Sequence, residues 1–113
     1  MTVADVKFSF EYYKKHAVAP RWTAAVASIG DVQTPDASTI VISLAKPNPS
    51  FVLQVLADIP IIPQHIWEGV TEPKKAQFNI GSGPYKVIEY KPNELYRLAA
   101  HSDWPLRAFF QEI

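Results

Sequence analysis

The sequence predicts an α+β fold, and three observations carry that expectation. Apolar residues recur at helical spacing near the N-terminus and again at 51–59. A β-branched, alternating run, TIVISLA, lies between them. A second pair of strand-like runs, YKVIEY and LYRLAAH, brackets the turn-forming KPNE. The two periodicities mix without a strand–helix–strand rhythm, which points away from a parallel sheet.

Taken in order, Thr2 with Asp5 three residues later is a capping-box start. Val3, Val6, Phe10 and Tyr13 then give residues 3–16 one apolar face. Lys14, Lys15 and His16 suit the negative end of the helix dipole. The pattern breaks from Ala17 to Pro20, and residues 21–28 read as a second, short helix. Strands are expected at 29–33 and 39–45, separated by TPDAS, with Ile40, Ile42 and Leu44 on the buried face. Pro47 ends the second strand.

Asn48 and Pro49 then form a cap-and-first-turn pair. They open a helix whose stripe is Phe51, Val52, Val55, Leu56 and Ile59, and Pro60 stops it. Pro63 starts a single helical turn through Trp67, ended by Gly69, and residues 70–79 read as a surface loop. Residues 85–101 read as a β-hairpin.

The totals narrow the function. The chain has 113 residues, enough for one small domain, and 48% of them are hydrophobic, as in a folded protein. Lys and Arg balance Asp and Glu at 11 each, without the basic excess of a nucleic-acid binder. There is no cysteine, so neither a disulfide framework nor a thiolate site is available. No run of about 18 apolar residues is present. The N-terminus lacks the basic-then-apolar layout of a secretory signal and opens straight into a capped helix. That reads as a segment of a longer protein.

GSGPY at 81–85 has the glycines of a phosphate loop but not its context. No helix begins after it, and no Gly-Lys-Ser/Thr comes next. It reads as a turn into a strand, with the glycines supplying unusual dihedrals and Pro84 starting the strand. His16, His65 and His101 lie far apart and predict no metal site. There is no nucleophile elbow. An acid–base pair would have to be assembled from Asp31, Asp58, Glu68 or His65, with nothing in the sequence to single them out. No catalytic residue and no cofactor is therefore expected. Three tryptophans and five tyrosines are ample for a domain this size, and most should fill the core. Trp22, beside Pro20 and Arg21 at the start of a short element, is placed to project instead.

Four stretches together resemble family 5 of the extracellular solute-binding proteins of ABC transporters, the peptide, dipeptide and nickel binders. TVADVKFSFE at 2–11 is similar to the family's T-A-x-D-V-x-F-S helix. DVQTPDASTIVISLAKPNPSF at 31–51 resembles its strand-to-helix run, and IIPQHIWE at 61–68 its I-x-P-K-H-x-x-E. GSGPYKVIEYKPNELYRLAAHSDW at 81–104 resembles G-T-G-P-Y followed by L-x-x-N-x-x-Y-W. The motifs keep the family's order and span nearly the whole chain. His101 to Trp104 only approximates the family's ending, and PLRAFFQEI departs from its Gly-rich continuation.

Family members are several times longer, so the resemblance implies a fragment of a two-lobed clamshell. Residues 1–80 would be a small α+β subdomain of the first lobe, 81–104 a hairpin returning to that lobe's main sheet, and 105–113 a tail of unassigned role. Gly81, Ser82, Gly83 and Pro84 would be the hinge or turn between them. The implied function is capture of a small solute, most often a peptide, outside the cytoplasmic membrane for delivery to ABC membrane subunits. No enzyme activity or nucleic acid is involved. Trp22, Asp58 and Ile59 would face the ligand. By itself, such a piece should expose unpaired edges and self-associate. The rival reading is an autonomous protein–protein interaction module with an aromatic surface.

Overall fold

The computed structural model describes residues 1–73, 80–105 and 110–113. The chain divides into two compact units, Met1–Ala76 and Gln77–Ile113. In the first, helix α1 spans Val3–Lys15 and begins with a reciprocal capping box. The Asp5 N–H donates to Thr2 Oγ1 at 3.4 Å, and the Thr2 N–H donates to Asp5 Oδ2 at 2.7 Å. Two of the orphan donors at the helix start are thereby satisfied. Helix α2, Pro20–Ala27, uses Pro20 as its first residue, one position before the expected run.

Strands β1 (Ile29–Gln33) and β2 (Val41–Leu44) pair antiparallel, with Ile29 opposite Leu44 and Gln33 opposite Val41. The register slips at Gly30, where an added Cβ would lie a tight 3.3 Å from the Ser43 carbonyl oxygen, so a larger residue there requires β2 to give by a few tenths of an ångström. Ile40, Ile42 and Leu44 pack together against the core as expected. That core is Phe10, Tyr12, Tyr13, Val26, Ile29, Val32, Phe51, Val55, Ile59 and Ile62.

Asn48 forms a side-chain turn ahead of the next segment: its Oδ1 accepts the Ser50 N–H at 3.0 Å and its carbonyl accepts the Phe51 N–H at 3.1 Å. The segment itself is a π-helical turn, Val52–Leu56, with Phe51 rather than Asn48 at its N-cap and no side-chain cap bond, closed by the Ala57 N–H on the Val52 carbonyl at 3.1 Å. This corrects the predicted stripe. Phe51, Val55 and Ile59, four residues apart, all face the core, whereas Val52 is 63% and Leu56 37% exposed. The wider turn keeps a four-residue spacing on one side and rotates the adjacent positions outward.

The polar groups of α1 hold the chain that comes after this turn. Ser9, fully buried, donates from Oγ to the Asp5 carbonyl at 2.6 Å and accepts the Ile62 N–H at 2.9 Å. Tyr13 donates to the Pro60 carbonyl at 3.0 Å, and Tyr12 to that of Val70 at 2.7 Å. The Asp5 carboxylate also accepts the Gln64 N–H at 3.0 Å, at the start of the single-turn helix α3, Gln64–Trp67. Trp67 meets Tyr12 edge to face, with centroids 5.8 Å apart. Of the expected surface loop at 70–79, residues 74–79 lie outside the described residues.

The second unit is built on β3 (Tyr85–Lys91) and β4 (Leu95–Ala100), an antiparallel hairpin with Lys91 opposite Leu95 and a bulge at Ile88. The Glu94 N–H closes the turn on the Lys91 carbonyl at 3.1 Å, with Asn93 at φ 62°. Proline first and a left-handed residue second make this a type II turn. Tyr90 and Tyr96 stack across the hairpin at 4.5 Å. Gln111–Ile113 returns along β4: Leu98 and Ile113 exchange N–H···O bonds of 2.8 and 2.9 Å, and the Ala100 N–H donates to the Gln111 carbonyl. Arg97 lies between Glu89 and Glu112.

The glycines of GSGPY do not behave as predicted. Neither Gly81 nor Gly83 has a positive φ, and a Cβ at either would meet nothing within 4 Å. Local sterics do not demand glycine in this conformation. The segment bends into β3, and Pro84, which lacks an N–H, offers its carbonyl to the His101 N–H at 2.8 Å.

Candidate functional site

The start of α2 and the corner after the π turn bring three side chains together across 37 residues of sequence. Pro20 fixes the first turn of α2, so Arg21 and Trp22 emerge at its N-terminal end. The Trp22 ring is half-buried, packs against the core, and lies 5.5 Å from the Tyr13 ring. Its Nε1–H is enclosed and has no acceptor among the described residues. A buried donor left unpaired costs about 1–3 kcal/mol, so it is a locally unfavourable feature that the surrounding packing sustains.

Arg21 turns back over Trp22, its guanidinium carbon 5.8 Å from the ring centroid, and forms an ion pair with the Asp58 carboxylate. The two charged side chains are 66% and 42% exposed. Asp58 sits where the turn ends, its N–H on the Val55 carbonyl. Ile59 comes next, but its side chain is only 5% exposed and belongs to the core. Tyr13 lines the inner wall. Burial, with the neighbouring Tyr12, pushes its phenol up to about 12, so across the ordinary pH range it is the O–H donor to Pro60.

Of the expected ligand-facing residues, the structure therefore joins Trp22 and Asp58 at one surface and turns Ile59 inward. Arg21, which links the two, was not singled out from the sequence. Its only signal is a cation beside a tryptophan, and the carboxylate it meets is distant in sequence. Gly81, Ser82, Gly83 and Pro84 lie in the other unit.

Concavities lie elsewhere among the described residues. A shallow groove of about 540 Å³ runs along α2 between Ala17, Val18, Pro20, Thr23, Ala24 and Ala27. A smaller one, about 100 Å³, lies among Ser82, Gly83, His101, Asp103 and Trp104. No acid–base pair is assembled among the described residues: Asp31 is engaged by Gln33, Asp58 by Arg21, and no hydrogen bond joins any two of Asp31, Asp58, His65 and Glu68. No group of three or more His, Asp or Glu among them is arranged to hold a metal ion. No helix among them is long and apolar enough to cross a membrane.

Solved structures of known proteins share this fold. A Thermotoga maritima periplasmic oligopeptide-binding protein of an ABC transporter superimposes with a TM-score of 0.77 at 30% identity, over 92% of this chain and 20% of that one. The same protein with mannohexaose bound gives 0.76. NikZ from Campylobacter jejuni, in complex with Ni(L-His), gives 0.69 at 30% identity over 88% of this chain and 20% of its own. A Brucella ovis protein named as a peptide-binding protein of an ABC transporter is 31% identical over 109 residues. The chain spans about a fifth of the length of these relatives, 20% in each case. Its fold is an α+β fragment of the two-lobed clamshell of periplasmic oligopeptide-binding proteins. Residues 1–113, the whole chain, match the family described as bacterial extracellular solute-binding proteins, family 5 Middle, and the chain belongs to that family.

Proposed function

We propose that this chain is part of the substrate-binding component of an ABC importer. In this reading it captures a peptide-like or other small solute outside the cytoplasmic membrane and presents it to the membrane subunits. The observation that carries the reading is the family match over all of residues 1–113. The solved relatives support the breadth of solute, since one holds Ni(L-His) and another mannohexaose. Such a protein performs no covalent chemistry. Its work is differential binding between open and closed states. None of the relatives named above is an autonomous interaction module, and that alternative is not favoured.

Within this reading the solute meets the corner formed by Trp22 and Asp58. Ile59 supports that corner from the core and offers a ligand only its backbone. Residues 1–80 act as the small subdomain of the first lobe, 81–104 as the hairpin belonging to that lobe's main sheet, and 81–84 as the turn between them. The test is to purify the protein from its native host under gentle conditions and identify what travels with it by native mass spectrometry. A stoichiometric small solute is the expected result. An empty protein that also gives no thermal shift with peptides, oligosaccharides or chelated metals would overturn the reading.

A further inference from the structure

Two groups at the Trp22 corner would ordinarily attract a cation: the carboxylate of Asp58 and the face of the Trp22 ring. Both are already engaged by one internal cation. Arg21 pairs with Asp58 and lies 5.8 Å from the Trp22 centroid. A guanidinium has five N–H donors in a rigid fork, and this one is mostly exposed, so donors remain after the Asp58 pair is made. With the pair formed, the local charge is balanced, and the corner presents donors outward.

We propose that Arg21 sets the charge preference of this corner. It admits solute segments bearing uncharged oxygen acceptors, such as a peptide carbonyl, and turns away ammonium groups by occupying the two places they would take. The proposal rests on the reading that the corner faces the solute. Arg21 acts partly as a positioning residue, through Asp58 and Trp22, and partly by its own free donors. An ammonium ligand has to displace it, and a carbonyl does not.

The experiment tracks the Trp22 indole Nε1–H resonance, in the whole substrate-binding component that contains this chain, during titration with two probes, capped tri-alanine amide and tri-lysine amide. Trp67 and Trp104 report on fold integrity. The wild-type chain is expected to prefer tri-alanine. Arg21→Ala should shift the ratio of the two affinities toward tri-lysine by about threefold or more, the size of one exposed charge pair. Arg21→Gln is a second neutral variant should alanine disturb the helix start, and Arg21→Lys should restore the wild-type order. Neutral variants that keep the wild-type order while still binding would overturn the role of Arg21 and leave the solute-facing reading intact. If neither probe moves the Trp22 resonance in any variant, the solute-facing reading falls and this proposal falls with it.

Discussion

Ser9 shows how much one small side chain decides in this fold. It is wholly enclosed, and its hydroxyl is the acceptor for the Ile62 N–H and a donor to the Asp5 carbonyl. Ser9→Ala strands the Ile62 N–H, and the expected loss is about 1–3 kcal/mol in urea unfolding. An unchanged midpoint would show that the group finds another partner. Asp5 makes a complementary case in charge. Its carboxyl is held below the usual range first by the Gln64 N–H and then by that of Thr2. A lowered folded-state value means the stabilisation is present above the unfolded value, near pH 4, and is lost as pH falls through the lower folded one. Asp5→Asn should therefore flatten the acid limb of the stability curve, measured by thermal melts from pH 6 to pH 2. At Trp22, the ring's contact with Tyr13 means that truncation to alanine perturbs packing as well as surface. Trp22→Phe is the cleaner change. It removes the cost of the unpartnered Nε1–H but also shrinks a ring packed on Tyr13, so the two effects should offset and stability should fall by less than about 1 kcal/mol. A larger loss would mean that the N–H has a partner in solution.

Among the elements, the π turn and the hairpin turn make the sharpest claims. Ile59 faces the core and Leu56 does not, so Ile59→Ala should cost about 2–5 kcal/mol. Leu56→Ala should cost under about 1 kcal/mol. Equal losses on chemical denaturation would restore an ordinary α-helix over 51–59. In the hairpin, Asn93 at φ 62° holds a conformation that a β-branched residue resists. Asn93→Val should destabilise by about 1–2 kcal/mol, while Asn93→Gly should be neutral or better. A harmless valine would mean the turn is not type II in solution.

At the scale of the molecule, the exposed apolar side chains are the telling feature. Val52 and Leu53 stand out from the π turn, and Ile88, Tyr90, Leu95 and Tyr96 from the hairpin. Apolar side chains gathered at the surface of so short a chain favour association. The expected behaviour of the 113-residue chain alone is reversible association, seen as a concentration-dependent sedimentation coefficient and reduced by Tyr96→Lys. A concentration-independent monomer would refute it.

Much of this protein is legible locally, because helix caps, β-branched alternation and turn residues act through neighbours in the chain. The capping box at Thr2 and Asp5, the short helix expected at 21–28 and found one residue earlier, the two strands of the first unit and the hairpin at Lys91–Leu95 all arise from that chemistry. Three outcomes did not. The π turn exposed Val52 and Leu56 because core packing, not intrinsic period, decided which side faced inward. The glycines of GSGPY took ordinary dihedrals, because glycine permits many conformations and its presence in a sequence does not say which one is adopted. The corner of Arg21, Trp22 and Asp58 exists only once α1 has pinned the chain from Pro60 to Gln64 through Tyr13, Ser9 and Asp5. Partners separated by 37 residues carry no local signal, so their meeting belongs to the tertiary structure alone.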